Sequence, residues 1–190
     1  MLLPQFAVDD VIKTALNEDI NYIDTTTDLM IPENARSKAR FLAKAEGVLC
    51  GIDVALRVFA LLDPTFQATV YKKDGDRMQP GDVIAVVEGS TRFLLKGERT
   101  ALNLLQHLSG VATATDRCVR IVKGTNASIA DTRKTLPGLR SLQKYAVTVG
   151  GGRNHRFNLS DGAMLKDNHI DAAGGITAAV TAIRGKLGHM

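Results

Sequence analysis

The run from Glu98 to Val122, ERTALNLLQHLSGVATATDRCVRIV, constrains the fold more than any other part of the chain. Its period predicts a helix that starts near Phe93. Leu102, Leu105, Ser109 and Ala112 share one face, and Leu104, Leu108 and Val111 share another. A helix with apolar residues on several faces is buried on several sides. The expected place for it is between two domains, with the boundary near Ser109: residues 1–108 form one domain and 109–190 a second.

The flanking sequence supplies the layers that would cover such a helix. Before it, Val11, Ile12, Ala15 and Leu16 recur at helical spacing behind Asp9-Asp10, a candidate cap. Arg40 to Leu49 reads as a strand broken near Glu46-Gly47. Ile52 to Leu62 reads as a helix, Phe66 to Val70 as a strand, and Val83 to Val87 as another strand behind the Pro80-Gly81-Asp82 turn. After it, the pattern alternates. A short strand is expected over 127–130, a helix over 137–149 ended by Gly150-Gly151-Gly152, a strand over 163–165 and a helix over 175–186. Repeated βα units predict a parallel sheet or a (β/α) barrel, so the class is α/β. Both architectures place ligands at the C-terminal ends of strands. That rule puts Asp131-Thr132-Arg133-Lys134 and Lys166-Asp167-Asn168-His169 in one mouth.

Charge singles out the same region. Residues 131–170 hold seven Lys and Arg against three Asp, a net +4 that equals the net charge of the whole 190-residue chain; the remainder is balanced. A guanidinium binds carboxylate or phosphate bidentately and a lysine adds a compact point charge. Arg133, Lys134, His155, Arg156 and Lys166 therefore predict a small ligand with two or more anionic groups. Other partners fit poorly. Aromatic residues are only 5% and Trp is absent, which leaves little to stack on single-stranded nucleic acid. No apolar run reaches the roughly 18 residues of a membrane span, and the N-terminus has acids where a secretory signal has bases. Neither membrane nor nucleic acid is expected, and the expected location is cytoplasmic. Cys50 and Cys118 form no CxxC pair, and the spacing of His155 and His169 fits no standard zinc pattern, so no metal ligand is assigned. His107, on the buried helix, reads as a core histidine with its hydrogen bonds satisfied. GGGRNHR matches neither GxGxxG nor a P-loop, so its glycines read as a helix stop and a close backbone crossing.

Three segments carry a resemblance: ERTALNLLQHLSGVAT (98–113), DTRKTLPGLRSLQKYAV (131–147) and GGGRNHRFNLSDGAMLKDNHI (150–170). Together they resemble the quinolinate phosphoribosyltransferases. The earlier EDINYIDTTTD (18–28) is similar more loosely, with Asn21-Tyr22-Ile23 where the family usually has glycine. The resemblance implies an α+β N-terminal sandwich domain followed by an incomplete, open (β/α) barrel of parallel strands. It implies transfer of phosphoribosyl from phosphoribosyl pyrophosphate to quinolinate, giving nicotinate mononucleotide, pyrophosphate and CO2, in NAD biosynthesis. It also implies that Arg99, Thr132, Arg133, Lys134, His155, Arg156 and Lys166 bind substrate, with Lys134 and Lys166 the catalytic cations, and that a homodimer donates Arg99 into the neighbouring site. Mg2+ would accompany phosphoribosyl pyrophosphate, its ligands mainly beyond residue 190. The chain is accordingly expected to be a truncated piece with little activity alone. Two other resemblances exist. A pyrophosphorylase-like protein associated with molybdenum transport shares the DTRKT–GGG–HR framework, but KDNHI (166–170) favours the quinolinate enzyme. KAEGVLCG (44–51) with GDRMQPGDVIAVVEG (75–89) resembles a lipoyl or biotinyl carrier, yet no lysine lies between Lys73 and Lys96 to be modified.

Overall fold

The computed structural model describes residues 4–187. They form two compact units, one ending at Asn154 and the other beginning at His155. Among the described residues no helix is long and apolar enough to cross a membrane.

In the first unit, α1 (Gln5–Asp19) buries Val8, Ile12 and Leu16, which lie four residues apart on one face. Asp9 does not cap it. The helix begins a turn earlier, behind Pro4, and Asp9 instead grips Arg57 with both oxygens, at 2.8 and 2.7 Å. A short α2 (Thr25–Met30) follows, absent from the sequence-based expectation. Its signal was there: Asp24 accepts from Thr27 N at 3.0 Å, and Asp28 accepts from Asp24 N at 3.1 Å, a reciprocal cap.

Next come β1 (Arg36–Leu42), β2 (Gly47–Val48), α3 (Ile52–Leu62), β3 (Gln67–Val70), β4 (Arg77–Met78) and β5 (Val83–Ser90). The three longer strands form an antiparallel sheet in the order β1-β5-β3, and β2 pairs with β4. The long helix is continuous as α4 (Thr91–Ile121). Its Ala101, Leu104, Leu105 and Leu108 join Val54, Ala55, Val58 and Phe59 of α3 in the core. Phe59 meets Phe41 edge-on at 6.1 Å and stacks on Phe66 at 5.5 Å.

After α4 the expected elements are only partly realised. Residues 127–130 contribute one parallel bridge, Ala130 to Arg153. The helix expected from Pro137 starts later, as α5 (Arg140–Val149). Pro137 and Gly138 instead form a turn closed by Leu139 N donating to Leu136 O at 3.1 Å, with Gly138 at φ +77°. Pro followed by a positive-φ Gly is the pattern of a type II turn. In the second unit, α6 (Asp167–Ala173) and α7 (Ile176–Arg184) form, and Gly174 ends α6 at φ +81°. Residues 163–165 pair with no strand among the described residues. A strand requires a ladder partner, so Lys166 is the N-cap of α6 and not a strand end.

Asp63 closes the turn between α3 and β3 and is 5% exposed. Burial alone would raise its pKa. The bonds from Ser90 N (2.8 Å), the Thr65 hydroxyl (2.7 Å) and Thr65 N (2.8 Å) outweigh it and hold the carboxyl below its ordinary value. With the folded pKa below the unfolded one, this carboxylate stabilises the fold above the unfolded value of about 3.9 and ceases to as pH falls through the folded one. Melting curves from pH 5 down to pH 2.5 are expected to show a falling Tm, and a shallower fall for Asp63→Asn; equal slopes would remove Asp63 from this account.

Candidate functional site

The first unit carries Asp131 to Lys134 directly after the bridge. Asp131 N donates to Arg153 O at 3.0 Å, and Arg153 N donates to Ile129 O at 2.9 Å. The Thr132 hydroxyl accepts from Lys134 N at 3.0 Å, which curls the loop back on itself. Thr132 and Lys134 are exposed and Arg133 is half-buried. The Nε of Arg133 is buried with no hydrogen-bond partner among the described residues.

Lys144 does not belong to the cationic surface. Its side chain is 1% exposed and pairs with Asp131, itself 7% exposed. The Asn154 amide, turned so that its nitrogen faces the pair, donates to Asp131 Oδ2 at 2.7 Å and to Lys144 O at 2.9 Å. The net +4 of the segment survives, since this pair removes one charge of each sign. Sequence reasoning missed the pair because in the helix expected over 137–149 the apolar Leu139, Leu142, Ala146 and Val149 mark one side and Lys144 lies off it. The helix is in fact buried on the Lys144 side too. The next residue, Tyr145, donates to Asp74 Oδ2 at 2.8 Å. Asp74 also accepts from Gly51 N (2.9 Å) and Ile52 N (3.0 Å) at the start of α3. A carboxylate on those open N–H groups is favourably placed. Burial, and then the bond to Asp74, pushes the Tyr145 phenol well above its ordinary range. Burial likewise pushes the Cys50 thiol up, which leaves it unreactive.

The triple glycine is a structural device. A Cβ on Gly150 would collide with the carbonyl of Ala112 and lie 2.7 Å from Thr115 Cβ, so α5 ends hard against α4. Gly151 has φ +87°. His107 is satisfied as expected, with its Nε2 2.9 Å from the Gln143 amide nitrogen. Arg99 is exposed on α4.

The second unit carries the other candidates. Arg156 is half-buried, and its Nη1 donates to Gly162 O at 2.9 Å. Asp161 accepts from Phe157 N at 2.6 Å, tightening the same loop. His155 and Lys166 are exposed. The backbone N–H of Lys166 donates to His169 Nδ1 at 3.1 Å, so His169 works as a helix cap. The sequence-predicted cations thus divide between the units: Arg99, Arg133 and Lys134 in the first, His155, Arg156 and Lys166 in the second. Two clefts beside α4, of about 310 and 500 Å3, have largely apolar walls and include none of the candidates. Among the described residues no three His, Cys, Asp or Glu side chains gather as a metal site.

Comparison with known proteins gives this arrangement a family. Residues 24–109 match the quinolinate phosphoribosyl transferase N-terminal domain, and residues 111–190 match the C-terminal domain of the same family. A carboxylating nicotinate-nucleotide pyrophosphorylase from Mycobacterium leprae is 47% identical over 184 residues, covering 94% of this chain and 64% of that protein. A probable enzyme of the same name from Bacillus subtilis is 48% identical, covering 91% of this chain and 60% of that one. The crystal structure of NadC from Streptococcus pyogenes superposes with a TM-score of 0.93 at 45% identity, over 98% of this chain and 66% of that one. The chain belongs to the quinolinate phosphoribosyltransferase family, and it spans a little under two thirds of the length of these relatives.

Gly150→Ala is expected to lower stability by about 2–3 kcal/mol, because the new methyl meets backbone and not a movable side chain. Gly162→Ala, where a Cβ meets nothing within 4 Å, is expected to change it by less than about 0.5 kcal/mol. Denaturant titration of both variants measures the difference.

Proposed function

We propose that this chain carries the pyridine-dicarboxylate and phosphoribosyl-binding cations of a quinolinate phosphoribosyltransferase. One observation supports the reading beyond family membership. Lys38, Arg57, Lys96 and Lys144 each hold a carboxylate. Among the described residues no carboxylate pairs with Arg99, Arg133, Lys134, Arg156 or Lys166. Of these, Arg133, Lys134 and Arg156 are held in short, hydrogen-bonded loops, and cations so placed without internal counter-charges are ready for an anionic ligand. Quinolinate brings two carboxylates, and phosphoribosyl pyrophosphate brings a 5′-phosphate and a pyrophosphate.

In this reading Arg133, Lys134, His155 and Arg156 hold the quinolinate carboxylates, with the Thr132 hydroxyl shaping the loop. Lys134 and Lys166 face the charge that develops as pyrophosphate leaves the ribose. The pyridine nitrogen attacks the anomeric carbon as the C–O bond to pyrophosphate breaks, through an oxocarbenium-like state. The pyridinium formed then stabilises the electron pair left on the ring carbon when the adjacent carboxylate departs as CO2, and that carbon takes a proton from water to give the mononucleotide. Preorganised cations lower the barrier to pyrophosphate departure by electrostatics and positioning. Magnesium enters with the pyrophosphate substrate, and no residue of this chain is assigned to it. Arg99, exposed on α4, is available to a second copy in a homodimer. The domain division near Ser109 belongs to the same reading, although α4 itself runs unbroken through it. The carrier-domain alternative is disfavoured because both family domains match, one after the other.

Calorimetric titration of the chain with quinolinate is expected to show binding, with nicotinate, which has one carboxylate, at least tenfold weaker. Lys134→Ala or Arg156→Ala should each weaken quinolinate by about 2 kcal/mol through loss of a charge-assisted hydrogen bond. Equal affinity for the two pyridines, or unchanged affinity in both variants, would remove these residues from the site.

A further inference from the structure

We propose that Asp131, Lys144 and Asn154 form a positioning node whose task is to fix the cationic loop 132–134, and that none of the three touches substrate. This deepens the functional reading above and rests on it. Within the first unit, Lys144 on α5 reaches Asp131, and both side chains are more than nine-tenths buried. Asn154 fastens to the same carboxylate at 2.7 Å and to the Lys144 carbonyl at 2.9 Å. The backbone of Asp131 is fixed as well, by its N–H on Arg153 O at 3.0 Å. The chain therefore leaves a three-way anchor at residue 131 and turns at once into Thr132-Arg133-Lys134, where the Thr132 hydroxyl takes the Lys134 N–H. The other cationic stretch, His155-Arg156, begins with the residue after Asn154.

A buried ion pair is a poor way to gain stability, because desolvating two charges offsets most of their attraction. An apolar pair would serve the interior as well. What the ion pair supplies is direction: its hydrogen bonds define one position for Asp131, whereas apolar side chains tolerate repacking. A site made of like charges needs such an anchor, since Arg133 and Lys134 repel each other and would otherwise splay into solvent before a ligand arrives.

The test separates position from stability. Lys144→Met leaves a buried carboxylate without its cation, so a large fall in Tm is expected from that variant. Asp131→Asn/Lys144→Met removes both charges and is expected to recover a Tm close to the parent. In that folded double variant, backbone amides of residues 131–136 should exchange with deuterium at least tenfold faster, and the quinolinate Kd should rise at least tenfold. Asn154→Ala, which deletes two hydrogen bonds and no charge, should give both effects at threefold or more, and it decides the matter if the double variant does not fold. Parent-like exchange and parent-like Kd in folded variants would make the node purely structural and overturn the proposal. Faster exchange with an unchanged Kd would overturn its functional half. A parent chain that does not bind quinolinate would instead overturn the assignment of the substrate, while the exchange result would still judge the anchor.

Discussion

The segment from Gly47 to Gly51 has to end a two-stranded ladder, cross the flank of α4 and start α3, with its backbone polar groups out of water. Helix α4 makes that possible. Thr113 accepts from Val48 N at 2.9 Å; Ser109 accepts from Cys50 N at 3.0 Å and donates to Cys50 O at 3.2 Å. Unpaired peptide groups at those positions would each carry a desolvation penalty of about 1–3 kcal/mol. Two hydroxyls one turn apart on a helix whose other buried residues are mostly Leu and Ala therefore fix where the sheet layer and α3 meet α4. The apolar residues supply the driving force, and the hydroxyls supply the alignment. From there Asp74 carries the same logic outward, joining the start of α3 to Tyr145 on α5.

The charged segment contains two populations that composition alone cannot separate. Lys144 and Asp131 are withdrawn from solvent and neutralise each other. Arg133, Lys134, Arg156 and Lys166 have no carboxylate partner among the described residues. The first kind holds geometry and the second kind holds field. A single segment can serve both purposes because a helix, α5, lies between its ends and contributes the buried member, while the loops at either side contribute the accessible ones.

Much of the architecture was legible from the sequence because it follows from side-chain periodicity. Ile52, Ala55 and Phe59 mark α3 correctly at both ends, and the two apolar faces of α4 announced its burial. Where the expectation failed, the missing information was not local. Residues 163–165 have strand-like composition, but pairing depends on a neighbour. Pro137 permits a helix start, yet Gly138 beside it makes a turn of equal local quality. The Asp131–Lys144 pair spans 13 residues and has no spacing signature. The candidate cations, by contrast, were named from charge, from their place after expected elements and from family resemblance. The structure adds which of their neighbours restrain them.

The pairing of β1 with β5 has a further consequence. Lys38 lies opposite Glu88, with its ammonium 2.9 Å from the carboxylate, and Phe41 of the same strand is buried beside Ala85. A slip of one residue would turn Phe41 out and Lys38 in, so the alignment is enforced from both faces. Strand β1 is also an outer strand, and Arg36, Lys38 and Arg40 project from it. A second molecule seeking to extend the sheet there, in antiparallel fashion, would have to bring three cations against three. The β1 rim of the sheet, unlike the uncharged and exposed β3 rim, is thereby defended against the edge-to-edge growth from which fibrils begin.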